Sequence, residues 1–277
     1  MSYRIFANHA HLFPKEAKPS GTLDNLKRTM DEVGIEKAVC FAPFASQLRN
    51  AGLSDDDAPK WIADEIKNEP NLVGFGTIDF DKNSIEAQVR EIYDLGLKGI
   101  KIHPAYQEVK VDGPQACRVY ETAEELGLFI SFHTGLHWHR IADYHQLLFD
   151  EVAFMFPHLR FSMEHMGGYS FFNEALLVMN NNKRGDFDRV FAGWTSISVD
   201  ADESGSPQFG AWSLSDRQLL DLIYQTGPDR SIFGLDFPYN DPAYLKAAIG
   251  RIISLPISEQ AKENILGGTL RRLLNVD

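Results

Sequence analysis

The sequence is poor in cysteine, with only Cys40 and Cys117. Two such residues make neither a disulfide framework nor a zinc knuckle. Cys40 falls in a predicted strand and Cys117 in a predicted helix, so both read as small buried apolar groups. Positive charge is also scarce. The formal net charge is −12, and no Lys/Arg run exceeds a pair (Lys27-Arg28, Lys183-Arg184, Arg271-Arg272). Such a surface repels a polyanion, so no nucleic-acid partner is expected. No apolar run approaches the roughly 18 residues of a membrane span. The first residues lack the basic-then-apolar pattern of a secretory leader. These absences lead us to expect a cytoplasmic protein with no membrane partner. Linkers, low-complexity tracts and sequence repeats are missing too, as is a Gly-x-Ser-x-Gly nucleophile elbow.

What is present is a regular alternation. Candidate strands lie at 3–9, 36–42, 71–78, 98–103, 128–133, 159–165, 189–198 and 230–235; each is short, β-branched or aromatic, and bounded by turn residues. Candidate helices lie at 22–33, 57–69, 83–95, 114–126, 143–156, 170–181, 214–226 and 241–254, with a last helix pair near 258–274. Ile85, Val89, Ile92 and Tyr93 form an apolar stripe with Gly96 as a stop. Ser215 opens the helix of Leu219, Leu220, Leu222 and Ile223. Eight strands alternating with eight helices predict an α/β fold, a single (β/α)8 TIM barrel over 1–277. The length of 277 residues fits such a barrel, typically about 250 residues. The long loops 12–21, 43–56, 104–112, 134–142 and 199–213 all follow strands, on the face where such barrels carry their sites.

That face is where the chemistry gathers. Five strand segments end in His or Asp: Arg4–His11, Gly99–His103, Leu128–His133, Leu159–His165 and Ser231–Asp236. Of nine histidines, His9, His11, His103, His133 and His165 fall at these ends, a clustering foreign to scattered surface histidines. Residues i and i+2 of a strand share a face. On that parity His9 and His11 face the barrel interior with Ala7, while Asn8 faces the helix layer. His133 faces in with Ser131 and Phe129, His165 with Met163 and Phe161, and Asp236 with Gly234 and Ile232. Glu164 then points outward, as a structural residue. Imidazoles and a carboxylate are the donors of a zinc site, and also suit manganese.

Taken together these pieces resemble the amidohydrolase superfamily, specifically amidohydrolase family 2, the branch containing aminocarboxymuconate-semialdehyde decarboxylase and many metal-dependent TIM-barrel hydrolases. The matching segments are His9-Ala10-His11, Gly99-Ile100-Lys101-Ile102-His103-Pro104, His133-Thr134-Gly135, His165-Met166-Gly167-Gly168 and Phe233-Gly234-Leu235-Asp236-Phe237-Pro238. They occur in family order and span nearly the whole chain. The resemblance implies His9, His11, His133 and Asp236 around one divalent metal ion, with zinc favoured and manganese an option. It implies His165 as a catalytic histidine beside the metal water. On chemistry alone, Asp236 can accept that water's proton while touching the metal. The family usually has an Asp two residues before the first His, where this chain has Ala7, so a supporting carboxylate is missing there.

Other residues keep two readings. His103 contacts substrate or bonds neighbouring loop groups. Lys101 is a structural or pKa-tuning charge, or a carboxylated bridge between two metals. Trp138, Trp194, Phe44 and Tyr239 wall a pocket or simply pack loops. Arg140 clamps a substrate carboxylate or sits idle on a loop. His137-Trp138-His139 falls in a loop, where nothing enforces a shared face, so its metal reading is poor. Gly167-Gly168 lets the backbone leave its strand sharply. The first functional expectation is hydrolysis of a small carbonyl substrate, an amide, lactone or ester, by metal-activated water. The alternative is metal-dependent non-oxidative decarboxylation of a small unsaturated or aromatic acid, and a silent barrel used for binding is a third. The expected partner is a small-molecule substrate, and a homodimer is a base-rate expectation.

Overall fold

The computed structural model describes residues 3–54, 57–183, 188–199 and 212–277. Its strands are β1 (Phe6–His11), β2 (Lys37–Phe41), β3 (Leu72–Thr77), β4 (Gly99–Ile102), β5 (Phe129–His133), β6 (Phe161–Glu164), β7 (Val190–Thr195) and β8 (Ser231–Phe237). All pair in parallel with their sequence neighbours, and β8 closes onto β1. The helices are α1 (Leu23–Val33), α2 (Ala45–Asn50), α3 (Ala58–Ile66), α4 (Ile85–Asp94), α5 (Pro114–Leu126), α6 (Leu148–Met155), α7 (Gly168–Asn181), α8 (Asp216–Thr226), α9 (Pro242–Ser254), α10 (Glu259–Glu263) and α11 (Thr269–Leu274). This is the (β/α)8 barrel that the alternation predicts.

Local chemistry explains the boundaries. Ser215 caps α8 reciprocally: its hydroxyl accepts from Gln218 N while Gln218 Oε1 accepts from Ser215 N. On α4 the buried side chains are Ile85, Val89 and Ile92, whereas Tyr93 of the expected stripe is half exposed. Two expectations shift. The loop 43–56 folds in part into α2, because Gln47 Oε1 caps Phe44 N at 2.9 Å. The helix expected from 143 starts at Leu148. A 3-10 turn at Ile141–Asp143 precedes it, and the buried Tyr144 hydroxyl is tied to the His137 backbone. Most of the expected loop 199–213 lies outside the described residues.

The barrel interior is layered. An apolar floor of Phe6, Val39, Phe41, Val73, Phe75, Phe129, Phe191 and Ile232 packs against Leu270 and Leu274 of α11. Above it lie the buried polar groups Asn8, Lys101, Ser131, Ser162, Glu164 and Thr195. The histidines and Asp236 crown this layer at the strand C-termini.

Strand parity fails at two places, and both failures are backbone events. In β1 the register against β2 shifts between Ala7 and Ala10, and His9 has φ 71°. This bulge sends Ala7 to the outer, helix-packed core, beside Ala10 and Leu12. Asn8 instead enters the barrel, where its amide reaches Glu164 and Ser131. On β6, Phe161 and Met163 belong to the outer core, and Phe161 packs edge-on against Phe132. Ser162 and Glu164 therefore face inward, the reverse of the sequence expectation. His165 reaches the mouth through a left-handed turn, φ 67°, rather than through strand alternation. Trp194, for which a pocket wall and simple packing are both open in the sequence, is buried in the outer core.

This placement makes Phe161 a packing residue. Phe161→Ala should cost about 3–5 kcal/mol of stability, the usual range for a buried Phe, and leave metal content unchanged. Urea denaturation and elemental analysis of the variant check both, and wild-type stability would place Phe161 in the cavity instead.

Candidate metal centre

A cavity of about 820 Å³ opens at the C-terminal mouth of the barrel. His9, His11, His103, His133, His137, His165, Ser196, Asn240 and Asp236 supply its polar lining, and Phe44, Tyr106, Leu136, Trp138, Trp212, Tyr239 and Tyr244 much of its wall. The mouth is also where the backbone is strained. Of seven non-glycine residues with positive φ among those described, five are His9, His165, Met166, Ser196 and Asp236. Such conformations cost about 1–3 kcal/mol each and persist where surrounding structure imposes them, often at functional sites.

The donors that converge are His9, His165 and Asp236. Their ligand atoms all lie within 4.8 Å of one another. His9 Nε2 is 3.5 Å from Asp236 Oδ1, and the His9 and His165 rings lie 5.1 Å apart. His11 and His133 border this trio. The His11 ring is 5.0 Å from His9, and the His133 ring 4.8 Å from His165. Each key group is fixed from behind. His165 Nδ1 bonds the Thr195 carbonyl at 2.9 Å and so donates, leaving Nε2 for the cavity. Ser196 Oγ donates to Asp236 Oδ2 at 2.9 Å, and Asn240 Nδ2 in turn donates to Ser196 Oγ. His9 Nδ1 lies 3.2 Å from Glu164 Oε2.

Burial sets the electrostatics. The imidazoles of His9, His11, His103 and His133 are held well below their ordinary range, first by desolvation and then by neighbouring charge, chiefly Lys101 for all but His133. His165 is lowered to about 3 for the same two reasons. Asp236 is raised to about 6 by burial, with the Ser196 hydrogen bond and Lys101 opposing. Lys101 is itself lowered to about 8 by burial.

The donor set fits a divalent ion. Neutral imidazoles carry free lone pairs without a competing proton. The buried His133 Nε2 has no protein hydrogen-bond partner, as a nitrogen reserved for a ligand would. Both ligand sets, the His9, His11, His133 and Asp236 that the resemblance implies and the geometric His9, His165 and Asp236, share His9 and Asp236.

The remaining candidates divide. His103 lines the cavity, stacked on His133 with ring centroids 3.7 Å apart. Trp138 stands at the rim, 97% exposed. Phe44 and Tyr239 take the first of their two readings and line the wall. Arg140 does not line the cavity; its side chain is 74% exposed and pairs with Asp143. His139 pairs with Asp143 as well, whereas His137 faces the cavity, so the loop HxH pair does diverge. Lys101 is buried, its Nζ 3.5 Å from His9 Nε2. Sequence reasoning missed Tyr106, Ser196, Trp212 and Asn240. All four come from loops beyond the strand ends, where no periodicity marks a facing.

Buried neutral histidines make the ion-free protein acid-sensitive. An unfolded histidine takes up a proton below about pH 6.5, but these five do not while folded. The unfolded state then binds more protons, so stability falls as pH drops below that value. Asp236 opposes, since its raised pKa favours the folded state as pH falls from about 6, but it is one group against five. Thermal midpoints of chelator-treated protein should fall between pH 7.5 and 5.5, and a rising midpoint would contradict this. His9→Ala and Asp236→Ala should each lose bound metal, measured by elemental analysis.

The amidohydrolase model Amidohydro_2 matches residues 9–276. A 2-amino-3-carboxymuconate-6-semialdehyde decarboxylase from Dictyostelium discoideum is 23% identical over 248 residues, covering 80% of this chain and 67% of that protein. Two solved structures share the fold. One is a candidate 2-pyrone-4,6-dicarboxylic acid hydrolase from Pseudomonas putida (TM-score 0.70, 18% identity, 99% of this chain and 98% of that one). The other is a dihydroxybenzoic acid decarboxylase from Polaromonas sp. JS666 with bound manganese and an inhibitor, 2-nitroresorcinol (TM-score 0.69, 16% identity, 99% and 97%). The family match spans nearly the whole chain, and the chain belongs to the amidohydrolase family described by that model.

Proposed function

We propose that the protein is a metal-dependent non-oxidative decarboxylase of a small unsaturated or aromatic acid. The sequence alone ranks hydrolysis first. The likeness over most of the chain to a decarboxylase of a carboxymuconate semialdehyde reverses that order, and the likeness to a manganese-containing dihydroxybenzoic acid decarboxylase supports it. The observation that carries the reading is the cavity's construction: an aromatic wall above one polar floor. A flat, conjugated acid fits between such walls with its polar end on the floor.

His9 and Asp236 would hold a divalent ion, zinc or manganese, with His11 and His133 as the further donors. When bound, the ion supplies Lewis acidity toward the oxygens of an acidic substrate. The chain's own residues do the rest. Phe44, Trp212 and Tyr239 enclose the substrate plane and exclude water, with Trp138 at the rim. His103 orients the polar end. The bond from carbon to the leaving carboxylate breaks, its electron pair stays on carbon, and a proton replaces carbon dioxide there. We assign that proton's delivery to His165 Nε2. Burial makes its imidazolium a strong acid, so a proton arriving there is passed on. The reaction consumes that proton, and solvent restores it to His165 Nε2 by way of Asp236, whose carboxyl burial raises to about 6. Arg140 has no part in this scheme, because it pairs with Asp143 outside the cavity.

Hydrolysis is the second reading. It is supported by the likeness to the candidate pyrone dicarboxylate hydrolase and needs the same groups. Incubation with panels of aromatic acids, lactones and amides in ¹⁸O-labelled water separates the two. The proposal expects carbon dioxide release and no label in the product; labelled product without carbon dioxide would reverse the ranking. His165→Ala should retain most metal and lose at least 100-fold in kcat, in line with a general acid–base role of roughly 10²–10⁴. Loss of metal would make His165 a ligand.

A further inference from the structure

We propose that Glu164 is the positioning residue of the metal centre: it fixes the tautomer and ring orientation of His9, so that Nε2 is the ligand atom. The inference rests on the metal reading and is independent of which reaction the centre performs.

Glu164 is fully buried inside the barrel. Its Oε1 lies 2.7 Å from Asn8 Nδ2, 2.5 Å from Ser162 Oγ and 3.3 Å from Ser131 Oγ. Its Oε2 lies 2.6 Å from Thr195 Oγ1 and 3.2 Å from His9 Nδ1. A carboxylate has about four lone-pair sites, and this one is met by donors on β1, β5, β6 and β7. An acceptor facing Nδ1 requires a proton on that nitrogen. In a neutral imidazole the lone pair is then on Nε2, the atom 3.5 Å from Asp236 Oδ1. A carboxylate behind a ligating histidine both orients it and strengthens it as a donor.

The sequence makes room for this group. A Cβ at position 193 would collide with the Glu164 carboxylate, and one at 234 would collide with Thr195 Oγ1. Gly193 and Gly234 thus keep open the space that the carboxylate and its partner fill. Lys101 lies fully buried in the same layer and supplies opposite charge. The supporting carboxylate that Ala7 cannot provide is therefore present on β6. It binds the first histidine of the pair from the far side of the barrel.

The test has two arms. In ion-free wild-type protein, ¹⁵N NMR of the histidine rings should report His9 protonated at Nδ1; an Nε2-protonated His9 would overturn the proposal without any variant. In the second arm, zinc and manganese affinities are measured by competition with a chromophoric chelator. Glu164→Gln keeps the shape but removes the charge. It should weaken binding by about 10–100-fold, the usual effect of losing such support. Gly193→Ala, which pushes the carboxylate aside, should weaken binding in the same direction. Ser162→Ala, which touches Glu164 but not His9, should have a smaller effect. A merely structural Glu164 would lower the thermal midpoint and leave metal affinity and the His9 tautomer unchanged, and that result would overturn the proposal. Failure of wild-type protein to bind either ion would instead sink the metal reading, while the tautomer arm would still decide the role of Glu164.

Discussion

The site depends on one constraint: eight parallel strands closing on themselves aim all eight C-terminal ends at a single opening. Side chains 155 residues apart in sequence then share a few ångströms. His9 and Glu164 meet in this way from β1 and β6. The closed sheet also dries its interior. Imidazoles at its mouth lose solvation and stay neutral, which turns ordinary histidines into ready metal donors.

The interior changes character along the barrel axis, and each layer serves the next. The aromatic floor fills the base. The polar layer above it survives because its groups satisfy one another, with Glu164 as the hub. A buried carboxylate without such partners would be costly. The histidine and Asp236 layer can be strained because the layer beneath is hydrogen-bonded across four strands. Of the left-handed residues, His9 sits at the β1 bulge, Asp236 next to the end of β8 and His165 just past β6, and the polar layer and the loop residues Ser196 and Asn240 hold them there.

Much of this was legible in the sequence. The βα alternation gave the barrel, and the strand-end histidines with Asp236 gave the cavity floor, because periodicity and position are properties of the chain itself. The facing of Ser131 with His133, and of Gly234 with Asp236, followed from simple alternation. Ala7, Asn8, Phe161, Met163 and Glu164 were assigned to the wrong faces. A bulge and a left-handed turn invert parity locally, and neither carries a glycine at the inverting residue to announce it. Tyr106 and Trp212 were not visible as lining residues, since loops have no period. Arg140 fits a carboxylate clamp by residue type alone, but the chain turns it toward Asp143.

The proposed centre is a divalent ion at the barrel mouth. Its most direct test is a crystal grown with manganese or zinc and measured at the metal's absorption edge. The account predicts an anomalous peak about 2.0–2.2 Å from His9 Nε2 and from an Asp236 carboxylate oxygen, the usual range for zinc with nitrogen and oxygen donors. No peak in the cavity, or a peak that involves neither residue, would contradict it.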